Sequence, residues 1–340
     1  MGLQIGEIVP RKAIEFSELS GKTIAIDAYN AIYQFLSSIR QPDGTPLMDS
    51  KKRVTSHLSG LFYRNINLLS EGMNLIYVFD GEPPELKYGT NIKRAEAKDE
   101  AREKYERARD EEDISGMGKY ARQNIHLTAE IMGDSKKLLE AMGIAVIQAP
   151  SEGEAQAASI SKSGNAYAVG SQDYDSLLFG APRLIQNLTL ARTRRTVSGM
   201  IYISPEVIEL DSVLNSLGIN LDQLICLGIL AGTDYNPGGI KGIGQKKALD
   251  IVKKYREPYL IFKSVAEKLE QQENKFDWQE IFPLFRKPDV SRFEIKFPKM
   301  NEDKIRNILV SEHDFSLERI NNQLEKLSEV KRKGMQRKLF

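Results

Sequence analysis

The sequence predicts an α/β protein with a mixed, mostly parallel central sheet flanked by helices. Three observations predict it. Apolar runs of strand length recur at Thr23-Ile24-Ala25-Ile26, Leu75-Ile76-Tyr77-Val78-Phe79, Ala145-Val146-Ile147-Gln148 and Ala166-Tyr167-Ala168-Val169. Stretches of helical periodicity separate them. Consecutive strand–helix–strand units imply parallel strands joined by right-handed crossovers.

Taken in order, the first run stops at Asp27. A helix from about Tyr29 to Ile39 puts Ile32, Phe35, Leu36 and Ile39 on one face. Gln41-Pro42-Asp43-Gly44-Thr45-Pro46 is a turn-rich loop. A second helix, Val54 to Leu69, carries Leu58, Leu61, Phe62 and Leu69 on its face. The next strand stops at Asp80. Residues 86–135 differ, because Lys87, Lys93, Arg94, Lys98 and Arg102 interleave with Glu96, Asp99, Glu100 and Glu103. Opposite charges at i, i+3 and i+4 support an exposed helix. Ser115-Gly116-Met117-Gly118 reads as a bend, which suits a helical hairpin inserted between sheet strands. From Leu138 the strand–helix alternation resumes and runs to about Leu188. The chain after Ser204 reads as mostly helical, and beyond Lys331 as a loose basic tail.

Composition bounds the possibilities. A chain of 340 residues buries a substantial core, and 41% hydrophobic residues is ordinary for a soluble globular protein. No run is long enough to span a membrane, and Met1-Gly2-Leu3-Gln4-Ile5-Gly6-Glu7 lacks signal-peptide order. A single cysteine, Cys226, rules out an intrachain disulfide and a thiolate zinc cluster, and points to an intracellular, cytoplasmic setting. A net charge of +1 neither announces nor excludes a nucleic-acid partner, because local fields matter more than the total.

Seven carboxylates carry the chemical signal. Beside Asp27 and Asp80, the third run leads through Ala149-Pro150 to Glu152 and Glu154. The fourth leads through Gly170-Ser171-Gln172 to Asp173 and Asp175, and Asp234 closes the apolar segment Leu224 to Ala231. Ligand crevices of open α/β sheets lie beyond the carboxyl ends of the strands. Acids gathered there repel one another unless cations neutralise them, and hard oxygen donors suit Mg²⁺ or Mn²⁺. Each acid also has an ordinary reading. A lone Asp at a strand end is a cap or turn residue. Ser151 and Glu154 fit a capping box, which leaves Glu152 without a role. Asp173-Tyr174-Asp175 lacks the remaining ligands of an EF-hand loop.

The strongest local signal is Gly232 to Lys247, where a helix ends, a glycine-rich turn follows and a second helix begins. Gly238, Gly239, Gly242 and Gly244 free backbone N–H groups to face a phosphate, with Lys241, Lys246 and Lys247 supplying charge. Lysines at a helix start oppose its dipole and call for an anionic partner. His57, His126 and His313 share no ligand spacing and read as structural, and no Ser/His/Asp or Cys/His arrangement supports acyl transfer.

These segments together resemble the flap endonuclease family, most closely its archaeal branch. The resemblance rests on Val78-Phe79-Asp80-Gly81-Glu82-Pro83-Pro84, Ala149-Pro150-Ser151-Glu152-Gly153-Glu154-Ala155-Gln156-Ala157, Ser171-Gln172-Asp173-Tyr174-Asp175 and Gly232-Thr233-Asp234-Tyr235-Asn236-Pro237-Gly238-Gly239. It runs from Gly2 to about Lys326. It implies a structure-specific 5′-nuclease that cuts 5′ flaps in lagging-strand maturation and long-patch base-excision repair, with 5′–3′ exonuclease activity. Two Mg²⁺ ions, for which Mn²⁺ substitutes, would lie ~4 Å apart. Asp27, Asp80, Glu152 and Glu154 would serve mainly one ion, and Asp173, Asp175 and Asp234 mainly the other. Lys87 and Arg94 would sit over the scissile phosphate, Tyr33 would stack on the terminal unpaired base, and the amino end near Gly2 would lie close to the site. The charged hairpin, about 86–135, would form an arch through which the flap passes. The helix–two-turn–helix, about 221–256, would grip duplex DNA with a bound K⁺.

The resemblance implies one nuclease domain, 1–326, followed by a basic tail, 327–340. In that tail Gln336 and Leu339 keep the spacing of a sliding-clamp motif, and the chain stops at Phe340, one aromatic short of the pattern. A monomer acting on branched DNA is the expectation. A related 5′-exonuclease or a bubble or junction nuclease is the alternative within the superfamily. A DNA-binding scaffold whose acids are merely caps is the alternative outside it.

Overall fold

β-Branched and aromatic residues fill the four apolar runs, and each forms a strand of one sheet. The computed structural model describes residues 3–41, 43–111, 113–123, 125–196 and 199–337. Within these, the side chains of 91, 93–95, 109–110, 114–115, 117–118, 122, 194–196 and 331–337 lie outside the description. The strands are β1 (Lys12–Ala13), β2 (Thr23–Asp27), β3 (Asn74–Phe79), β4 (Ala145–Gln148), β5 (Ala168–Gly170), β6 (Arg183–Gln186), β7 (Thr193–Thr196), β8 (Gly199–Tyr202) and β9 (Glu206–Glu209). Seven of them pair in the order β1-β9-β6-β5-β2-β3-β4, while β7 and β8 form a separate hairpin.

The block β6-β5-β2-β3-β4 is parallel, with Asp27 opposite Val78 and Phe79 opposite Gln148. The carboxyl ends of β2 to β5 therefore share one rim. β9 runs antiparallel to β6, and β1 to β9, which makes the sheet mixed. The period-two alternation of strands sends Ala25, Ile76 and Val78 to one face and Ile24, Ile26, Leu75, Tyr77 and Phe79 to the other. Both faces are apolar because both are covered by helices, as mostly parallel sheets require.

On the second face lie α1 (Ala28–Ser38), α2 (Ser56–Ser70) and α5 (Ala129–Ala141). Ile32, Phe35 and Leu36 of α1 and Leu58, Leu61 and Phe62 of α2 are buried as the periodicity predicts, whereas Ile39 and Leu69 are partly buried. The first face packs against α6 (Gly153–Lys162), α7 (Asp175–Leu178), α8 (Leu210–Leu217), α9 (Leu221–Ala231), α10 (Gln245–Tyr255) and α11 (Pro258–Lys263). Between β3 and α5 stand α3 (Tyr88–Asp110) and α4 (Ile114–Gln123), which pack on each other. The chain closes with α12 (Ala266–Gln271), α13 (Trp278–Arg286), α14 (Glu302–Arg306), a π-helical turn (Asn307–Glu312) and α15 (Leu317–Arg337).

Several local expectations need correction. Residues 115–118 are helical, inside α4, and the Asp113 carboxylate, one residue before that helix, accepts from the Gly116 N–H at 3.0 Å. The stretch after Ser204 is mostly helical as expected, but it opens with a strand, β9, whose two apolar residues give little periodic signal. Helix α15 continues to Arg337, past the point where a loose tail was expected. Its buried stripe Ile320, Leu324 and Leu327 anchors it in the second core, and the Lys, Arg and Gln that follow are good helix formers.

Candidate active site

Each acid reaches the rim through a different local device. Asp27 ends β2 and caps α1, accepting from the Asn30 N–H at 3.1 Å. Asp80 follows β3 and accepts from the Gly153 N–H at 2.7 Å. A Cβ at Gly153 would stand 2.6 Å from that Asp80 oxygen, so the contact needs glycine there. Glu152, rather than Ser151, is the N-cap of α6, and neither arm of the expected capping box forms. That frees Glu154, in the first turn, to accept from the Ser171 hydroxyl at 3.0 Å. Asp173 accepts from the Asn30 side-chain amide at 2.9 Å, and Asp175 from the Leu3 N–H at 3.1 Å. Asp234 lies beyond α9, 3.8 Å from the Lys87 ammonium.

The seven carboxylates feel one another. Burial first, then Asp80 and Asp173, push Asp27 up to about 8. Burial, then Asp80, Asp175, Asp234 and Asp27, push Glu152 up to about 9. Burial, then Asp234 and Asp173, push Asp175 up to about 7. Glu154 is raised well above its ordinary range by burial, then by Asp175, Asp27 and Asp173. Burial also raises Asp80, against the Gly153 N–H and Lys87, which lower it. A buried group of like charges holds protons or cations, because ionising all of them together is too costly.

Among the described residues, no group of three or more His, Cys, Asp or Glu side chains is arranged to hold an ion by itself. Mutual repulsion does not require a complete cage. Repulsion acts across several ångströms, whereas a cage needs oxygens at about 2 Å from a shared centre. Mg²⁺ keeps several waters and takes one or two direct carboxylates. A loose rim of oxygen donors whose charge demands compensation fits such an ion.

One cation already stands in the rim. Lys87, at the foot of α3, is bonded to Glu152 and ion-paired with Asp234, and its ammonium lies 5.0 Å from the Tyr235 ring centroid. The Tyr235 hydroxyl donates to the other Glu152 oxygen, and its ring packs edge-on against Phe285 at 5.2 Å. Tyr33 is on α1 and 40% exposed. Arg94 lies in α3, where its side chain is outside the described residues. Gly2, Leu339 and Phe340 lie outside them entirely, and Gln336 lies in α15 with its side chain outside.

The glycine-rich turn joins α9 to α10, and Gly244 is the N-cap of α10. Lys241, Lys246 and Lys247 are exposed around it. Lys246 pairs with Glu7 at 3.4 Å, and Lys247 donates to the Gly242 carbonyl at 3.2 Å. Gly238, Gly239 and Gly242 have φ of 84°, 55° and 82°, a region that favours glycine.

Asn30, Ser171 and Tyr235 had no assigned role in the sequence. Ser171 and Tyr235 adjoin recognised acids, so their proximity was a usable signal. For Asn30 the local signal accounts only for its backbone N–H, three residues after the capping Asp27.

Fold and rim together define a nuclease of the XPG class. The XPG N-terminal domain model matches residues 4–101, and the XPG I-region model matches residues 143–234. Flap endonuclease 1 of Pyrococcus furiosus is 52% identical over 339 residues, covering 99% of this chain and 97% of that one. Flap endonuclease 1 of Sulfurisphaera tokodaii is 51% identical, covering 98% and 96%. The solved flap endonuclease-1 from Methanococcus jannaschii superposes with a TM-score of 0.74 at 41% identity, covering 97% of this chain and 98% of that chain. The catalytic core of Rad2 in complex with DNA substrate shares the fold at a TM-score of 0.69 and 22% identity. The chain belongs to the flap endonuclease 1 family, and it is a nuclease acting on phosphodiester bonds.

Proposed function

We propose that the chain cleaves 5′ single-stranded flaps where they join duplex DNA, with the seven rim carboxylates as its metal centre. The observation that carries this is the web of repulsion linking Asp27, Asp80, Glu152, Glu154, Asp173, Asp175 and Asp234 at one rim. Asp27, Asp80, Glu152 and Glu154 would hold mainly one Mg²⁺, and Asp173, Asp175 and Asp234 mainly a second, with Mn²⁺ as a substitute. When bound, such ions lower the pKa of attacking water and stabilise the departing oxygen.

The chain's own groups do the rest. Lys87 stands among the acids and meets any phosphate drawn to them, where its charge offsets charge developing on the phosphoryl oxygens. Arg94, one helical stretch further along α3, adds to it. Tyr33 offers an exposed ring for sequence-tolerant stacking of an unpaired base. The α3–α4 hairpin serves as the arch over the flap. The turn between α9 and α10, with Lys241, Lys246 and Lys247, holds the duplex backbone, with K⁺ among its glycines. The Leu3 N–H bonds Asp175, which supports a role for the amino end at the acids. Gln336, Leu339 and Phe340 form the sliding-clamp contact, and the enzyme works as a monomer inside the cell in lagging-strand maturation and long-patch repair.

The test is cleavage by Asp173→Ala and Glu154→Ala enzymes on labelled flap DNA, with and without Mg²⁺. Both variants are expected to bind the flap while cleavage falls by orders of magnitude. Full cleavage by both would end the metal-centre reading. Mg²⁺-independent binding with no turnover by the unmodified enzyme would leave only a DNA-binding scaffold. A panel of flap, nicked, bubble and four-way substrates separates the flap reading from a 5′-exonuclease or junction nuclease.

A further inference from the structure

We infer that Asn30 is a positioning residue that sets the distance between the two halves of the acid rim. The inference rests on the metal-centre reading above and assigns a role to a side chain outside the seven acids. Asn30 sits in the first turn of α1, with its side chain directed at the loop that follows β5. Its Nδ2 donates to Asp173 Oδ2 at 2.9 Å, and its Oδ1 accepts from the Gln172 N–H at 3.3 Å. Its own backbone N–H donates to Asp27 Oδ1 at 3.1 Å. One residue thus contacts an acid from the end of β2 and an acid from the end of β5, 143 positions away from its own.

The chemistry admits one orientation of the amide. A backbone N–H can only donate, so the Asn30 oxygen must face Gln172, which leaves the NH₂ for Asp173. A carboxylate accepts from that NH₂ well, and bonds of this charge-assisted kind are short and directional. Asp173 is among the like charges that raise Asp27, after burial and Asp80. A neutral donor between their strands holds Asp173 in place without adding charge. Gln186 reinforces the same loop by donating to the Gln172 carbonyl at 2.7 Å. Because β2 and β5 are adjacent parallel strands, Asn30 spans their ends where no backbone ladder remains to fix the gap. Groups that orient metal-binding carboxylates typically change affinity or activity 10–100-fold when removed.

The test compares Asn30→Ala and Asn30→Leu with the unmodified enzyme and Asp173→Ala. The readouts are Mn²⁺ binding to the folded protein without DNA, by calorimetry, the melting temperature, and the Mg²⁺ concentration that half-saturates flap cleavage. Both Asn30 variants are expected to weaken Mn²⁺ binding by about 10–100-fold and to raise the half-saturating Mg²⁺ concentration. Asn30→Leu keeps the side-chain size while removing the donor to Asp173 and the acceptor for Gln172, and neither variant adds a charge that would itself attract the ion. A purely structural role would lower the melting temperature and leave the Mn²⁺ affinity of the folded protein unchanged. Undiminished Mn²⁺ binding by either folded variant overturns the inference, and where one variant does not fold the other decides alone. Equal Mn²⁺ binding by Asp173→Ala and the unmodified enzyme would instead remove the metal-centre reading beneath it.

Discussion

Lys87 is where the acid rim meets a positive charge supplied by the chain itself. It is bonded to Glu152, pairs with Asp234 and lies over the Tyr235 ring. Under the proposed function, replacing it with alanine removes a charge meant for the reacting phosphate and leaves the α9–α10 turn untouched. Single-turnover cleavage by Lys87→Ala should fall by about 10²–10³, the usual cost of deleting one such donor. Flap affinity measured in Ca²⁺ should change only a few-fold. A loss confined to affinity would assign Lys87 to binding instead of chemistry. At this scale the identity of the seven acids was legible, because each follows an apolar run in the chain. Their partners were less so. The Gly153 N–H on Asp80 and the Ser171 hydroxyl on Glu154 join residues from separate strands or loops. Glu152 takes the cap position that a local motif awards to Ser151, since Glu154 is drawn to Ser171.

The element joining α9 to α10 depends on how closely two backbone segments approach. Gly239 has a φ of 55°, and a Cβ there would lie 2.4 Å from the Leu230 carbonyl oxygen. That neighbour is backbone and cannot move aside cheaply. Gly239→Ala should destabilise the protein by more than about 1 kcal/mol. It should also weaken duplex binding more than it changes the cleavage rate of bound flap. Unchanged melting and unchanged duplex affinity would show that the turn tolerates a side chain and does not set the geometry of the grip. Elements with strong periodicity, α1 and α2, were legible within a residue or two of their ends. The strands β7, β8 and β9 were not. β7 and β8 pair only with each other, and β9 owes its conformation to β6 and β1. Such segments acquire strand character from partners distant in sequence, which no local pattern carries.

Across the whole molecule, a buried histidine joins two acids distant in sequence, and a second buried histidine stands in α2. His313, at the end of the π-helical turn, lies 3.1 Å from Asp49 and 3.6 Å from Asp134 of α5. His57 of α2 is 1% exposed, and neither ring nitrogen has a hydrogen-bond partner. Burial first, and His313 after it, lower His57 to about 4 from 6.5, against the pull of Asp134. The folded protein therefore resists a proton that the unfolded chain accepts. The resulting stability is present above pH 6.5 and is lost as pH falls towards 4, about 3 kcal/mol in all. The rim acids act with the opposite sign, since their raised pKa values favour the folded state at low pH. The difference between the melting profiles of the unmodified protein and His57→Leu, measured without divalent ions, isolates the histidine. The melting temperature of His57→Leu minus that of the unmodified protein should rise as pH falls from 6.5 to 4, and parallel profiles would show that His57 is already charged or solvated in the folded state.

The sequence by itself determined the strand runs, the acids that end them and the helices that cover them. Those features depend on side-chain period and turn chemistry within about ten residues. Tertiary structure alone decided that β5, β2, β3 and β4 lie side by side. Only that order brings Asp27, Asp80, Glu152 and Asp173 to one rim and lets Asn30 reach across it. Strand order follows from burying two apolar faces at once. That gain belongs to the assembled sheet and is invisible in any single stretch of chain.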